Sequence, residues 1–166
     1  MFDPTMSESI GMLHTHIFQI NLSNGGLPKL AVREAEVHEL GLVGDKQRNL
    51  KHHGGPERAV CLYSLERILA LQAEGHPIYP GAAGENITLA GVDWEQVRPG
   101  ARLRLGEQVV LEVTRYTEPC SNIRDLFKDG YFNRIHQERF PGWSRVYARV
   151  AHGGRIRVGD AVTVEG

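Results

Sequence analysis

The sequence predicts a mainly β domain with a few short connecting helices, its sheet closed into a barrel. Three observations carry this expectation. Glycine makes up 19 of 166 residues, above the usual share of about 7%, and the glycines fall between short apolar segments. Several of those segments alternate apolar and polar residues with the period of a strand, whereas only one stretch shows a clear helical stripe. Many short strands with few helices to cover them are most economically finished by closing the sheet on itself, which removes its edges. A chain of this length buries roughly 70% of its unfolded surface as one domain. The expected division is an N-terminal extension over 1–12 and a single domain over 13–166.

The elements follow in order. "HIFQINL" places Phe18, Ile20 and Leu22 on one strand face, and "SNGG" at 23–26 turns the chain. "AVCLYS" is an apolar run that leads into "LERILALQAE". Ser64 caps this helix, Glu66 occupies its first turn, and Leu65, Ile68, Leu69 and Gln72 form its stripe. Gly75 and Pro77 end it. "GEN" at 84–86 is a turn before the strand "NITL", with Gly84 suited to positive φ. "ARLRLGEQVVLEVTRY" reads as a hairpin: Leu103 and Leu105, a tight Gly106-Glu107 turn, then Val109, Leu111 and Val113. "SNIRDLF" and "YFNRIHQERF" are two further helical candidates, the second stopped by Pro141-Gly142. "SRVYARV", "RIRVGD" and "AVTV" suggest a closing meander around the "HGG" turn at 152–154.

Composition excludes some partners. A formal net charge of −1 leaves no electrostatic footprint for nucleic acid or an acidic membrane. No stretch approaches the ~20 apolar residues of a membrane span, and "MFDPTMSESIGML" has no basic, then apolar, secretory pattern. The two cysteines stand far apart in dissimilar contexts and do not form a disulfide framework. A cytoplasmic, reducing location is the expectation.

Cys61 lies among apolar neighbours and reads as an ordinary buried thiol. Cys120 follows Glu118-Pro119 and precedes a helical candidate, a setting that favours a thiolate; a loop cysteine without a role is the alternative. Glu85 and Asn86 offer acceptors and donors for an amide-rich heterocycle, or else serve only their turn. "GLVGDKQRNLKHHGGPERAV" gathers Lys46, Arg48, Lys51 and Arg58 around glycines, as an anion-binding loop or a solvated basic one. Adjacent His52 and His53 point to opposite faces of an extended chain and do not close on one metal ion. His14 and His16 have no nearby Cys, Asp or Glu to complete a zinc shell.

Three stretches read together change the picture: "GLVGDKQRNLKHHGGPERAVCLYS", "GAAGENITLAGVDWEQVRPGARLRLGEQVVLEVT" and "TEPCSNI". In this order they closely resemble the MOSC domain family, named for the C-terminal domain of molybdenum cofactor sulfurases, over about Ile17 to Val164. The resemblance implies a MOSC-type β-barrel and a molybdenum cofactor, held as molybdopterin, with Cys120 as the thiolate ligand and catalytic residue. It implies a pocket drawn from His53, Gly54, Arg58, Glu85, Asn86, Arg115 and Thr117. It further implies an oxidoreductase that reduces N-hydroxylated small molecules with electrons from separate electron-transfer proteins. The alternative is a non-catalytic carrier of the cofactor or of sulfur as a Cys120 persulfide. The chain stops at Gly166 without the C-terminal helical extension of better-characterised bacterial reductases, and it has no aminotransferase-like domain. Neither sulfurase activity nor one particular reductase activity is therefore expected.

Overall fold

The computed structural model describes residues 15–46 and 55–165. The 1–12 extension, His14, Arg48, Lys51, His52, His53 and Gly54 lie outside the described residues.

Eleven strands and one α-helix are present among the described residues: β1 (His16–Leu22), β2 (Leu30–Val32), β3 (Glu34–His38), β4 (Gly41–Leu42), β5 (Val60–Ser64), α1 (Leu65–Ala73), β6 (Ile87–Ala90), β7 (Arg102–Leu105), β8 (Val109–Tyr116), β9 (Val146–His152), β10 (Gly154–Arg157) and β11 (Val162–Glu165). Eight of the strands form one sheet in the order β11-β7-β8-β9-β5-β6-β1-β2, and β10-β3-β4 form a second. All neighbours are antiparallel except β5 and β6. Two parallel strands need a crossover, and α1 supplies it. The Ser64 hydroxyl accepts from the Arg67 N–H, so the expected cap forms.

The sheets are not closed into a barrel, which corrects the expected fold class. β1 and the residues just ahead of β11 form only the isolated bridge His16–Ala161 with its flanking backbone hydrogen bonds and no ladder, and β2 lies outside β1 at the end of the sheet. A barrel requires a continuous ladder between its outermost strands. Here the chain between β9 and β11 leaves the main sheet: β10 pairs with β3 in the second sheet, while β11 returns beside β7. The expected closing meander is thereby replaced by two excursions to different partners.

The core lies between the sheets and beneath α1. β5 is buried at every position, as is β6, as expected of central strands covered on both sides. Ala35, Val37, Leu42 and Ile156 of the second sheet join the same apolar cluster. Each fully buried aliphatic side chain there contributes about 1.5–3 kcal/mol. The β7–β8 hairpin buries Leu103, Leu105, Val109, Leu111 and Val113 as expected, although Leu105 pairs directly with Val109, so its loop has three residues and not two.

Local departures have local causes. A bulge between Ile17 and Gln19 opposite β6 shifts the register and buries Ile17 and Ile20 while Phe18 is exposed, because an extra residue reverses the alternation. On α1 the buried residues are Ile68 and Leu71, and Leu69 is exposed. "SNIRDLF" and "YFNRIHQERF" form only 3-10 turns, at Ser121–Leu126 and Phe132–Ile135. The 127–145 segment is held by side chains instead: Tyr63 donates to the Trp143 carbonyl (2.6 Å) and Trp94 to the Ser144 carbonyl (2.9 Å).

Candidate functional site

Loops that belong to neighbouring strands meet around a cavity of about 400 Å³, within the usual size range of small-ligand sites. The turn after β1 contributes Ser23, Gly25 and Gly26, and the segment before β2 contributes Lys29. Ala83, Gly84 and Asn86 precede or begin β6; Glu118, Cys120, Asn122 and Ile123 follow β8; Arg145 and Tyr147 open β9. Leu27, Cys61 of β5 and Lys46 complete the wall. Cys120 is exposed and Cys61 buried, so the cavity runs from an accessible thiol to an inaccessible one.

The buried wall is a hydrogen-bonded network. The Asn86 side-chain carbonyl accepts from the Cys61 N–H (2.8 Å), and its amide donates to Asp45 Oδ2 (2.8 Å). Asp45 Oδ2 also pairs with Lys29 Nζ at 2.8 Å, while Oδ1 accepts from the Ser23 N–H (2.9 Å). One carboxylate therefore ties the 43–46 loop to the end of β1, to Lys29 and to the start of β6. The Ser23 hydroxyl accepts from the N–H groups of Gly25 (3.0 Å) and Gly26 (2.7 Å), shaping the expected "SNGG" turn. Gly84 has φ of 92°, the positive value expected for it.

The residues named from the sequence divide into three groups. Cys120 and Asn86 line the cavity. Glu85 and Thr117 are buried close by without lining it. The Glu85 carboxylate accepts from the Thr88 hydroxyl (3.2 Å), its other oxygen finds no hydrogen-bond partner among the described residues, and burial pushes its pKa up against the nearby backbone N–H groups and Arg145. The Thr117 hydroxyl lies 3.9 Å from Cys61 Sγ. Burial likewise raises the Cys61 thiol and pushes the Tyr147 phenol up to about 12, so both are protonated at neutral pH.

Arg58 and Arg115 form the third group, outside the lining. Arg115 is exposed on β8. Arg58 ends a 3-10 turn at Pro56–Arg58, and its guanidinium carbon sits 6.0 Å from the centroid of the Tyr147 ring, which does line the cavity. That turn is anchored by the Thr114 hydroxyl, which reaches the carbonyls of Glu57 (2.6 Å) and Tyr147 (3.2 Å). His53 and Gly54 lie outside the described residues. Cys120 occupies the position before the Ser121–Leu126 turn, and its sulfur makes no capping hydrogen bond there.

Sequence reasoning missed Lys29, Asp45, Arg145 and Tyr147. The Gly-Asp turn at 44–45 was a visible signal for Asp45; Lys29 and Arg145 carry no local motif. No group of three or more His, Cys, Asp or Glu among the described residues could hold a metal ion. A cofactor that brings its own metal ligands fits this donor set, since one accessible cysteine then suffices. Nor does any helix among the described residues have the length and apolarity to cross a membrane.

Comparison with known proteins shows the family of the chain. The model of the MOSC domain matches residues 49–163. The chain is 35% identical over 139 residues to the protein YflK of Bacillus subtilis, an alignment that covers 83% of this chain and 62% of YflK. It is 33% identical over 129 residues to a protein named "Reductase" from Gibberella moniliformis, covering 75% of this chain and 22% of that protein. The chain thus spans less than two thirds of these curated relatives. The crystal structure of YiiM from Escherichia coli superposes with a TM-score of 0.68 at 23% identity, covering 92% of this chain and 70% of YiiM. With a matched model over most of its length, the chain belongs to the MOSC domain family, a family associated with redox chemistry and the molybdenum cofactor.

Proposed function

We propose that this chain binds the molybdenum cofactor, with Cys120 as the thiolate ligand to the metal, and reduces N-hydroxylated small molecules with electrons from a separate redox protein. The observation that carries the reading is the exposed Cys120 on a cavity whose buried side is a fixed polar network. When bound, the cofactor supplies a two-electron redox centre; the chain supplies position. Asn86, locked at both ends of its amide by Cys61 and Asp45, holds the cavity wall in one conformation. The Gly25-Gly26 turn and Gly84 place backbone in the cavity wall beside the cofactor. His53 and Gly54 belong to the reading on the family resemblance, and Arg58 acts through Tyr147. The Gibberella relative's name agrees with a reductase. Two free thiols, Cys61 and Cys120, suit a reducing cytoplasm.

The exposure of Cys120 also suits a second reading, a carrier of sulfur as a persulfide. Molybdenum content separates the two. Protein made in a host that synthesises the cofactor is expected to carry near-stoichiometric molybdenum, and Cys120→Ala to carry little. Equal metal in wild type and variant overturns the ligand assignment. Bound metal with no reduction of a hydroxylaminopurine by a chemically reduced dye favours a carrier over an enzyme.

A further inference from the structure

Cys120 does not stand alone on the cavity rim. Beyond β8 the chain runs on extended: Cys120 has φ of −137° and ψ of 174°, and burial alternates, with Thr117 and Pro119 inside and Glu118 and Cys120 exposed. In an extended chain residues two apart project from one face, about 7 Å from each other. The Glu118 carboxylate and the Cys120 thiol therefore share a face, and both residues line the cavity. Apart from the thiol, Glu118 is the one ionisable side chain between Thr117 and Ile123. Its carboxylate forms no hydrogen bond or ion pair among the described residues, so its charge is open to whatever approaches Cys120.

The other charges of the lining are spent or stand further off. The Lys29 side chain is 8% exposed and pairs with Asp45. Arg145 is buried and donates to the Ala83 carbonyl. Lys46 is the other exposed charge of the lining. Its backbone N–H donates to the Ser23 carbonyl, just past the end of β1, and β9, β5 and β6 separate β1 from β8 in the sheet. Lys46 thus sits across the mouth from Cys120, while Glu118 sits beside it.

We propose that Glu118 sets the charge specificity of the mouth: its carboxylate draws cationic ligands to Cys120 and turns anionic ones away. For substrates the inference rests on the reductase reading, and it favours N-hydroxylated compounds with a positive charge near the N–O bond over those bearing a carboxylate. The charge at Cys120 itself does not depend on that reading.

Two methanethiosulfonates of matched size, one carrying a trimethylammonium group and the other a sulfonate, read that charge in cofactor-free protein. With either, the thiolate attacks the sulfenyl sulfur, a mixed disulfide forms and methanesulfinate leaves. A change in thiol ionisation alters both rates alike, so their ratio reports the local field. One unit charge about 7 Å away in water changes the local concentration of a univalent ion about 2.5-fold at low ionic strength. The cation-to-anion rate ratio should therefore fall about sixfold in Glu118→Gln, and by less at about 1 M salt. Glu118→Asp should keep most of the wild-type ratio, Lys46→Gln should shift it less and in the opposite direction, and Cys120→Ser supplies the background from Cys61. A ratio unchanged in Glu118→Gln, or changed no more than by Lys46→Gln, overturns the proposal. In molybdenum-loaded protein Glu118→Gln should raise KM for a cationic N-hydroxylated substrate about twofold to threefold and lower it for an anionic one, with kcat and metal content unchanged. Loaded protein that reduces neither substrate removes the reductase reading and leaves the reagent ratio to decide the role of Glu118.

Discussion

Replacing Asn86 by alanine removes two hydrogen bonds from a residue that is 1% exposed. The Cys61 N–H loses its acceptor inside a strand that is buried at every position, and Asp45 Oδ2 loses one of its two donors. An unsatisfied buried N–H costs about 1–3 kcal/mol, and a hydrogen bond to a carboxylate contributes about 1.5–3 kcal/mol. The expected destabilisation is thus about 3–5 kcal/mol, a large part of the ~5–15 kcal/mol that holds a domain together. At about 2–4 °C per kcal/mol for a chain of this size, Tm should fall by roughly 6–20 °C. Urea unfolding of cofactor-free protein, followed by circular dichroism, measures the change directly, with an unchanged m-value as the condition for reading it as stability. Asn86→Asp sharpens the test. It keeps an acceptor for Cys61 but sets a second carboxylate against Asp45, so its deficit should shrink as pH falls and the repulsion between the two carboxylates is relieved by a proton. A loss below about 1 kcal/mol for Asn86→Ala, or a pH-independent deficit for Asn86→Asp, would refute the network as the support of the cavity wall.

Two other outcomes follow from burial. Ellman's reagent should modify one thiol quickly in the folded protein, the exposed Cys120, while buried Cys61, whose pKa lies above its ordinary 9.0, reacts only on unfolding; Cys120→Ser should abolish the fast phase, and two equally fast thiols would contradict the structure. Glu85 should make stability fall as pH rises from its ordinary value of 4.5 through its raised folded value, since over that window the unfolded chain has released a proton that the folded protein still holds. Glu85→Gln, neutral at every pH, should lose that decline relative to wild type in denaturant titrations at pH 4 and pH 7, and an unaltered slope would show that the carboxyl is already ionised in the fold.

Local pattern was a good guide wherever a single segment decided the outcome. The Ser64 cap, the β7–β8 hairpin and the positive φ of Gly84 each depend on a few neighbouring residues, and each formed where its side-chain pattern placed it. The same reasoning misassigned Phe18, because a bulge is set by the partner strand and not by the strand's own alternation. It also promised helices after Cys120, where burial of Ile123, Phe127 and Ile135 among 3-10 turns prevailed over helical spacing.

By itself the sequence determined the β-rich class, the order of most strands and the family resemblance, because composition, periodicity and linear motifs are properties of the chain. Only the tertiary structure decided that the sheets stay open, since closure depends on whether β1 and β11 form a ladder, and β1 makes only an isolated bridge to Ala161 ahead of β11. It alone brought Lys29, Asp45 and Arg145 to the Asn86 wall, from positions far apart in the sequence. Charges that meet through strand pairing leave no mark in local spacing; the cost of burying them exists only once the chain has folded around them.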